Sequence, residues 1–215
     1  MADPHNAPAP LAPWDRRDRL VLFDVEETGR RVGHYEWAEM RLFEVLGGWV
    51  ATVPELDVKM RLGTQCSKHA WHAELWQKRL PELGGTDPAR FTVPANDAFV
   101  AFVDAVAEPQ AAGMTIEKLV GIYRVFLPHL IAAYTYHLEA ISEITDAPTV
   151  RSLKFVLQDE MEDWRDGEML IQSLLESAED VERASAHQAR LEWLIVAAGG
   201  VAGPGSIGRQ PSVVD

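Results

Sequence analysis

Cysteine is nearly absent: Cys66 is the only one in 215 residues. One thiol excludes an internal disulfide and fits a reducing compartment. Positive charge is also scarce. Twenty Lys and Arg stand against 33 Asp and Glu, for a formal net charge of −13. Such a surface repels phosphate backbones, and no basic cluster offers a hold on anionic lipid, so neither nucleic acid nor membrane is an expected partner. No uninterrupted apolar run is long enough to cross a bilayer. Residues 1–13 lack the basic-then-apolar plan of a secretory signal. These absences lead to the expectation of an acidic, soluble, cytoplasmic protein, long enough for one domain with a substantial core.

What the chain does have is helical periodicity. Four segments carry apolar residues at spacings close to 3-4-3-4, the pattern of a helix burying one face in a bundle. The first stripe is Val32, Tyr35, Glu39, Leu42, Leu46 and Trp49; the second runs from Val58 through Leu62, Gln65, His69, His72 and Trp76 to Leu80. The third runs from Leu119 through Tyr123, Phe126, Leu130, Ala133 and His137 to Ile144; the fourth from Val150 through Leu153, Leu157, Glu160, Trp164 and Gly167 to Leu174. This predicts an all-α fold of four antiparallel helices, with a long crossover carrying a short extra helix between the second and third.

Punctuation sets the expected limits. The first helix should span about 23–51, and Thr52-Val-Pro-Glu55 reads as a capping box opening the second, which ends near Leu80 before Pro81 and Gly84-Gly85. Ala98 to Ala107 is the extra apolar segment of the crossover. Thr115 opens a third helix reaching about Thr145, with a kink expected at Pro128. Asp146-Ala-Pro148 restarts the chain, and the fourth helix should continue to about Ala184. The expected partition is a tail at 1–21, a bundle at 22–190, and an apolar segment with a flexible tail at 191–215. The face from Trp193 to Ala198 has two uses open to it, sealing a homodimer or packing back on the bundle.

Five polar residues interrupt the apolar stripes: Glu39, His69, His72, His137 and Glu160. A lone buried carboxylate is costly unless paired or bound to a cation. His69 and His72 lie three apart and project into one volume, and imidazole with carboxylate suits iron, manganese, copper or zinc. The turn near Pro54 sets Glu39 opposite His69 and Glu36 opposite His72; the turn near Ala147 sets His137 opposite residues 157–160. Asp163, one turn past Glu160, is a further candidate ligand. Glu36 and Tyr134 are candidates for proton delivery. Cys66, one turn before His69, is open both to ligation and to simple packing. Tyr35, Tyr136, Trp37, Trp71, Trp76 and Trp164 are expected to crowd the same level, as core fillers and as aromatic walls that exclude water. The metal-free alternative is two core histidines hydrogen-bonded to Glu39 and Glu160.

This arrangement resembles the ferritin-like superfamily, including rubrerythrins and carboxylate-bridged di-iron oxidases, over about residues 23–184. The family pattern is Glu on the first helix, Glu-x-x-His on the second, Glu on the third and Glu-x-x-His on the fourth. Glu39 matches the first. His69-Ala-Trp-His72 stands at the second with His for Glu, His137 lies near the third-helix Glu, and Glu160-Met-Glu-Asp163 matches the fourth with Asp for His. The resemblance implies a metal-dependent oxidase or oxygenase, with one or two ions of iron (or manganese or copper) acting with dioxygen on a small organic substrate. Replacement of the bridging Glu implies an alternative: a non-catalytic metal-binding or partner protein of the same fold.

Overall fold

The computed structural model describes residues 23–84 and 87–207, and these form helices and connecting turns without any strand. Helix α1 (Val25–Val50) and helix α2 (Leu56–Arg79) make the most extensive pairing of the fold. After a 3-10 turn, two crossover helices follow, α3 (Pro88–Phe91) and α4 (Asp97–Ala107). The third long stretch is one continuous rod: α5 (Thr115–Leu119), a π-helical segment (Val120–Phe126) and α6 (Leu127–Ala140). It is followed by α7 (Ala147–Leu174) and α8 (Ala178–Ala197).

Side-chain pairs fix the directions. Glu39 meets His69 and Arg79 meets Asp146, whereas Arg61 meets Asp166, so α2 runs antiparallel to both α1 and α7. Glu55 pairs with Thr115, Gln65 with Tyr123 and Trp76 with Tyr134, so α2 runs parallel to the α5–α6 rod. Parallel neighbours need a long connection, and residues 80–114 supply it. The helices surround one core, in which Tyr35, Leu42, Trp76, Phe99, Tyr123, Leu130 and Leu153 have no exposed surface. Gly167 of α7 lies against the Tyr123 ring so closely that a β-carbon there would stand 2.0 Å from Cγ.

Several local expectations are corrected. Thr52 does not open α2: its hydroxyl donates to the Trp49 carbonyl at 3.3 Å and so closes α1, while Glu55 occupies the cap position of α2 without a side-chain bond. Thr52 also accepts from the buried ammonium of Lys118, which binds two crossover carbonyls besides and gives the threonine a tertiary task. The disturbance from Pro128 lies upstream of it, as π winding. Proline lacks the N–H that the Arg124 carbonyl would accept and its ring crowds that carbonyl, so the preceding turn widens. The rod ends at Ala140, with Ile141 extended, which leaves Ile144 exposed outside it.

The long fourth helix is divided in two. Ser177 caps α8 in a reciprocal capping box with Asp180, because its hydroxyl accepts from the Asp180 N–H. α8 then crosses the expected boundary at 190 and packs on α4 and the π segment. Beyond it the chain docks, with Val201 and Ala202 buried and Arg31 donating to the carbonyls of Gly205 and Ser206. The expected tail at 1–21 and the last residues of the other tail lie outside the described residues. No described helix is long and apolar enough to cross a membrane.

Candidate metal centre

Three helices bring four donors together. Glu39 comes from α1, His69 and His72 from α2, and Glu160 from α7; all four are buried, and one ligand atom from each lies within 4.8 Å of the others. The two histidines present their Nδ1 atoms, and nitrogen and oxygen alternate around the group. His69 Nδ1 is 2.6 Å from Glu39 Oε2 and 3.4 Å from Glu160 Oε1. His72 Nδ1 is 3.5 Å from Glu39 Oε2 and 3.1 Å from Glu160 Oε1. A tetrahedral ion with bonds of about 2.0–2.2 Å separates neighbouring donors by about 3.3–3.6 Å. Of the four nitrogen–oxygen edges, three come close to that figure. The fourth, between His69 and Glu39, has hydrogen-bond length and would open by under an ångström on loading.

The surroundings hold these donors in place. Tyr134 donates its hydroxyl to Glu39 Oε1 at 2.6 Å, fixing the carboxylate so that Oε2 faces the histidines. Asp159 Oδ2 lies 3.1 Å from His72 Nε2, on the side of the ring away from the group. Such an outer carboxylate sets the tautomer and aim of a ligating imidazole. Tyr35 and Trp76 pack on the Tyr134 ring with centroids 4.7 and 5.8 Å away, and Trp71 packs on His72 at 5.5 Å. Tyr35 and Trp76 are buried, but Trp71 and Trp164 are about two-fifths exposed, so the aromatic wall expected at this level is only partly built.

Charge divides the two carboxylates. Burial pushes Glu39 up, but the charge on His72 and the His69 hydrogen bond outweigh it and hold Glu39 at about 2. Glu160 is raised by burial and by the charge of Glu39. His72 is driven up to about 11: burial opposes its charge but is overcome by Glu39 and by the hydrogen bond to Glu160. His69 moves up against burial for the same reasons, through Glu160 and Glu39. Tyr134 is raised well above its ordinary value by burial and by Glu39, so its hydroxyl keeps its proton. The group is thus a strongly charged knot in a dry interior, and Glu160 Oε2 remains buried there with no hydrogen-bond partner. A cation relieves that arrangement, because it satisfies oxygen and imidazole lone pairs together.

Asp163 is buried, but its Oδ1 accepts from Lys68 Nζ at 2.8 Å. Glu36 does not meet His72; it accepts from the Thr92 hydroxyl at 2.5 Å, because α3 and the crossover cover that side of α1. Burial raises its pKa despite that bond. His137 is fully buried among Phe23 and Tyr35, with neither ring nitrogen hydrogen-bonded, and lies outside the four-residue group. Cys66 also lies outside it, with its thiol toward the Phe43 carbonyl at 3.4 Å. Asp159 was missed by the sequence reading: it sits one residue before Glu160, about 100° around the helix and off the apolar stripe, so periodicity gives it no mark.

No protein family, no curated protein and no solved structure matches this chain.

Proposed function

We propose that the protein binds a transition-metal ion at Glu39, His69, His72 and Glu160 and is a ferritin-like, metal-dependent oxidase or oxygenase. The observation that carries this reading is the convergence of two imidazoles and two carboxylates from three helices into one buried group. Two supports come from the fold: the antiparallel α1–α2 and α6–α7 pairs, and the long crossover between the parallel α2 and α5–α6. That connectivity is shared with ferritin-like bundles. Iron fits the mixed nitrogen and oxygen donors, and manganese or copper would use the same set. A redox-active ion, when bound, would relay electrons from the organic substrate to dioxygen. Glu39 and Glu160 would balance its charge, Tyr134 and Asp159 would hold Glu39 and His72 in position, and Tyr35 and Trp76 exclude water.

One observation favours a second reading, a non-catalytic metal-binding protein: none of the four donors is more than 1 % exposed. Dioxygen can diffuse to such a place far more readily than an organic substrate can.

The test is metal content by mass spectrometry after anaerobic reconstitution, comparing wild type with a folded His69→Ala/Glu160→Ala variant. Stoichiometric iron lost in the variant, with dioxygen uptake by the ferrous wild type, supports the oxidase. Bound metal without dioxygen uptake selects the second reading, and protein that takes up no ion removes both.

A further inference from the structure

Resting on the metal reading, we infer that the centre takes a single metal ion and that the ammonium of Lys68 holds the place of a second cation. On α7, Glu160 and Asp163 are one turn apart on the buried face, exposed by 0 % and 2 %. Lys68 and His72 are likewise one turn apart on α2 and face them. Lys68 Nζ is 2.8 Å from Asp163 Oδ1 and 3.8 Å from Asp159 Oδ1, while the other oxygen of Asp159 reaches His72 Nε2. The lysine therefore extends the knot of charge beyond the four donors, at its edge nearest solvent.

Two oxygens there are unexplained by hydrogen bonding. Glu160 Oε2 and Asp163 Oδ2 are both buried and both without a partner. A buried bare carboxylate oxygen is unfavourable, and two on successive turns of one helix leave ligand capacity that the protein itself does not use. An ammonium ion neutralises charge without offering a lone pair, so it occupies a cation's place while blocking coordination. Glu39, Asp159, Glu160 and Asp163 supply up to four negative charges; one divalent ion with the ammonium leaves one of them over, and two divalent ions balance all four only when the ammonium is absent. A second divalent ion beside Lys68 would overshoot and meet direct repulsion.

The test uses redox-inert zinc on the full chain, counted by native mass spectrometry and equilibrium dialysis. Wild type and Lys68→Arg, which keeps the charge, are expected to hold one zinc per chain. Lys68→Met, which keeps the stem, and Lys68→Ala are expected to hold two, with circular dichroism verifying the fold. The inference is overturned if wild type takes two, or if the two neutral variants stay at one. A wild type that binds zinc in neither assay removes the metal reading and this inference with it.

Discussion

The Tyr134 hydroxyl and the His69 imidazole grip opposite oxygens of Glu39, each at 2.6 Å. A carboxylate pinned at both ends cannot rotate, so its Oε2 is already aimed at the space between the donors. Tyr134 lies 95 residues from Glu39 in sequence, on α6, and through it a helix that contributes none of the four donors still shapes the site.

Tyr134→Phe keeps the ring and its packing but frees Glu39 Oε1. Loss of such a hydrogen bond to a ligand is expected to weaken metal binding by about 10- to 100-fold. Chelator competition measures the affinity, and a stopped-flow trace of dioxygen consumption tests separately for a proton-delivery role. Unchanged affinity would show that Glu39 is held by other contacts.

Asp159→Asn should act on His72 in the same way. The residue is partly exposed, so thermal stability is expected to change little while metal affinity falls by about 10- to 100-fold. Equal losses of stability and affinity would instead make Asp159 part of the scaffold.

His137 should make the fold acid-sensitive. Burial, reinforced by the charge of Arg31 and opposed by Glu27, lowers its pKa from 6.5 to about 3. The folded protein keeps this imidazole neutral while the unfolded chain protonates it near 6.5. Its contribution is complete above pH 6.5 and is lost as pH falls from there toward 3, at up to about 1.4 kcal/mol per pH unit. His34 and His187, lowered chiefly by burial, add to the same slope. Urea unfolding between pH 7 and pH 4 is expected to show a shallower decline for His137→Leu than for wild type; parallel curves would refute the assignment.

Gly167→Ala should be costly, because the added methyl overlaps the Tyr123 ring, whose hydroxyl donates to the buried Gln65 carbonyl. Overpacking of this kind costs on the order of 1–3 kcal/mol. Denaturant titration gives the size of the loss. A second substitution, Tyr123→Leu, makes room and should recover part of it.

The sequence carried the α1–α2 hairpin and its Glu39–His69 pair plainly, because a short turn and a 3.6-residue period determine which residues face each other. The same count failed for Glu36 and His72, one turn away, because α3 and the crossover intrude on α1 from a part of the chain the hairpin does not register. Glu160 was legible as a polar residue in an apolar stripe; Asp159, off the stripe, was not. The break before α8 did leave a local sign, Ser177 three residues ahead of Asp180, but continuing periodicity masked it. His137 shows the limit of the stripe argument: a polar residue in phase with the core can be buried in an aromatic cage.

The parallel alignment of α2 with the α5–α6 rod has a consequence for the order of events during synthesis. Glu39, His69 and His72 lie on one hairpin, Glu39 and His69 being 30 positions apart, whereas His72 and Glu160 are 88 positions apart. A ribosome building this chain delivers three donors well before the fourth. Local hairpins form early and distant partners arrive late. The nascent chain therefore presents three of the four donors on an open hairpin, and α7 arrives as the cover. On the proposed metal reading, an ion could reach these three donors before α7 closes over them.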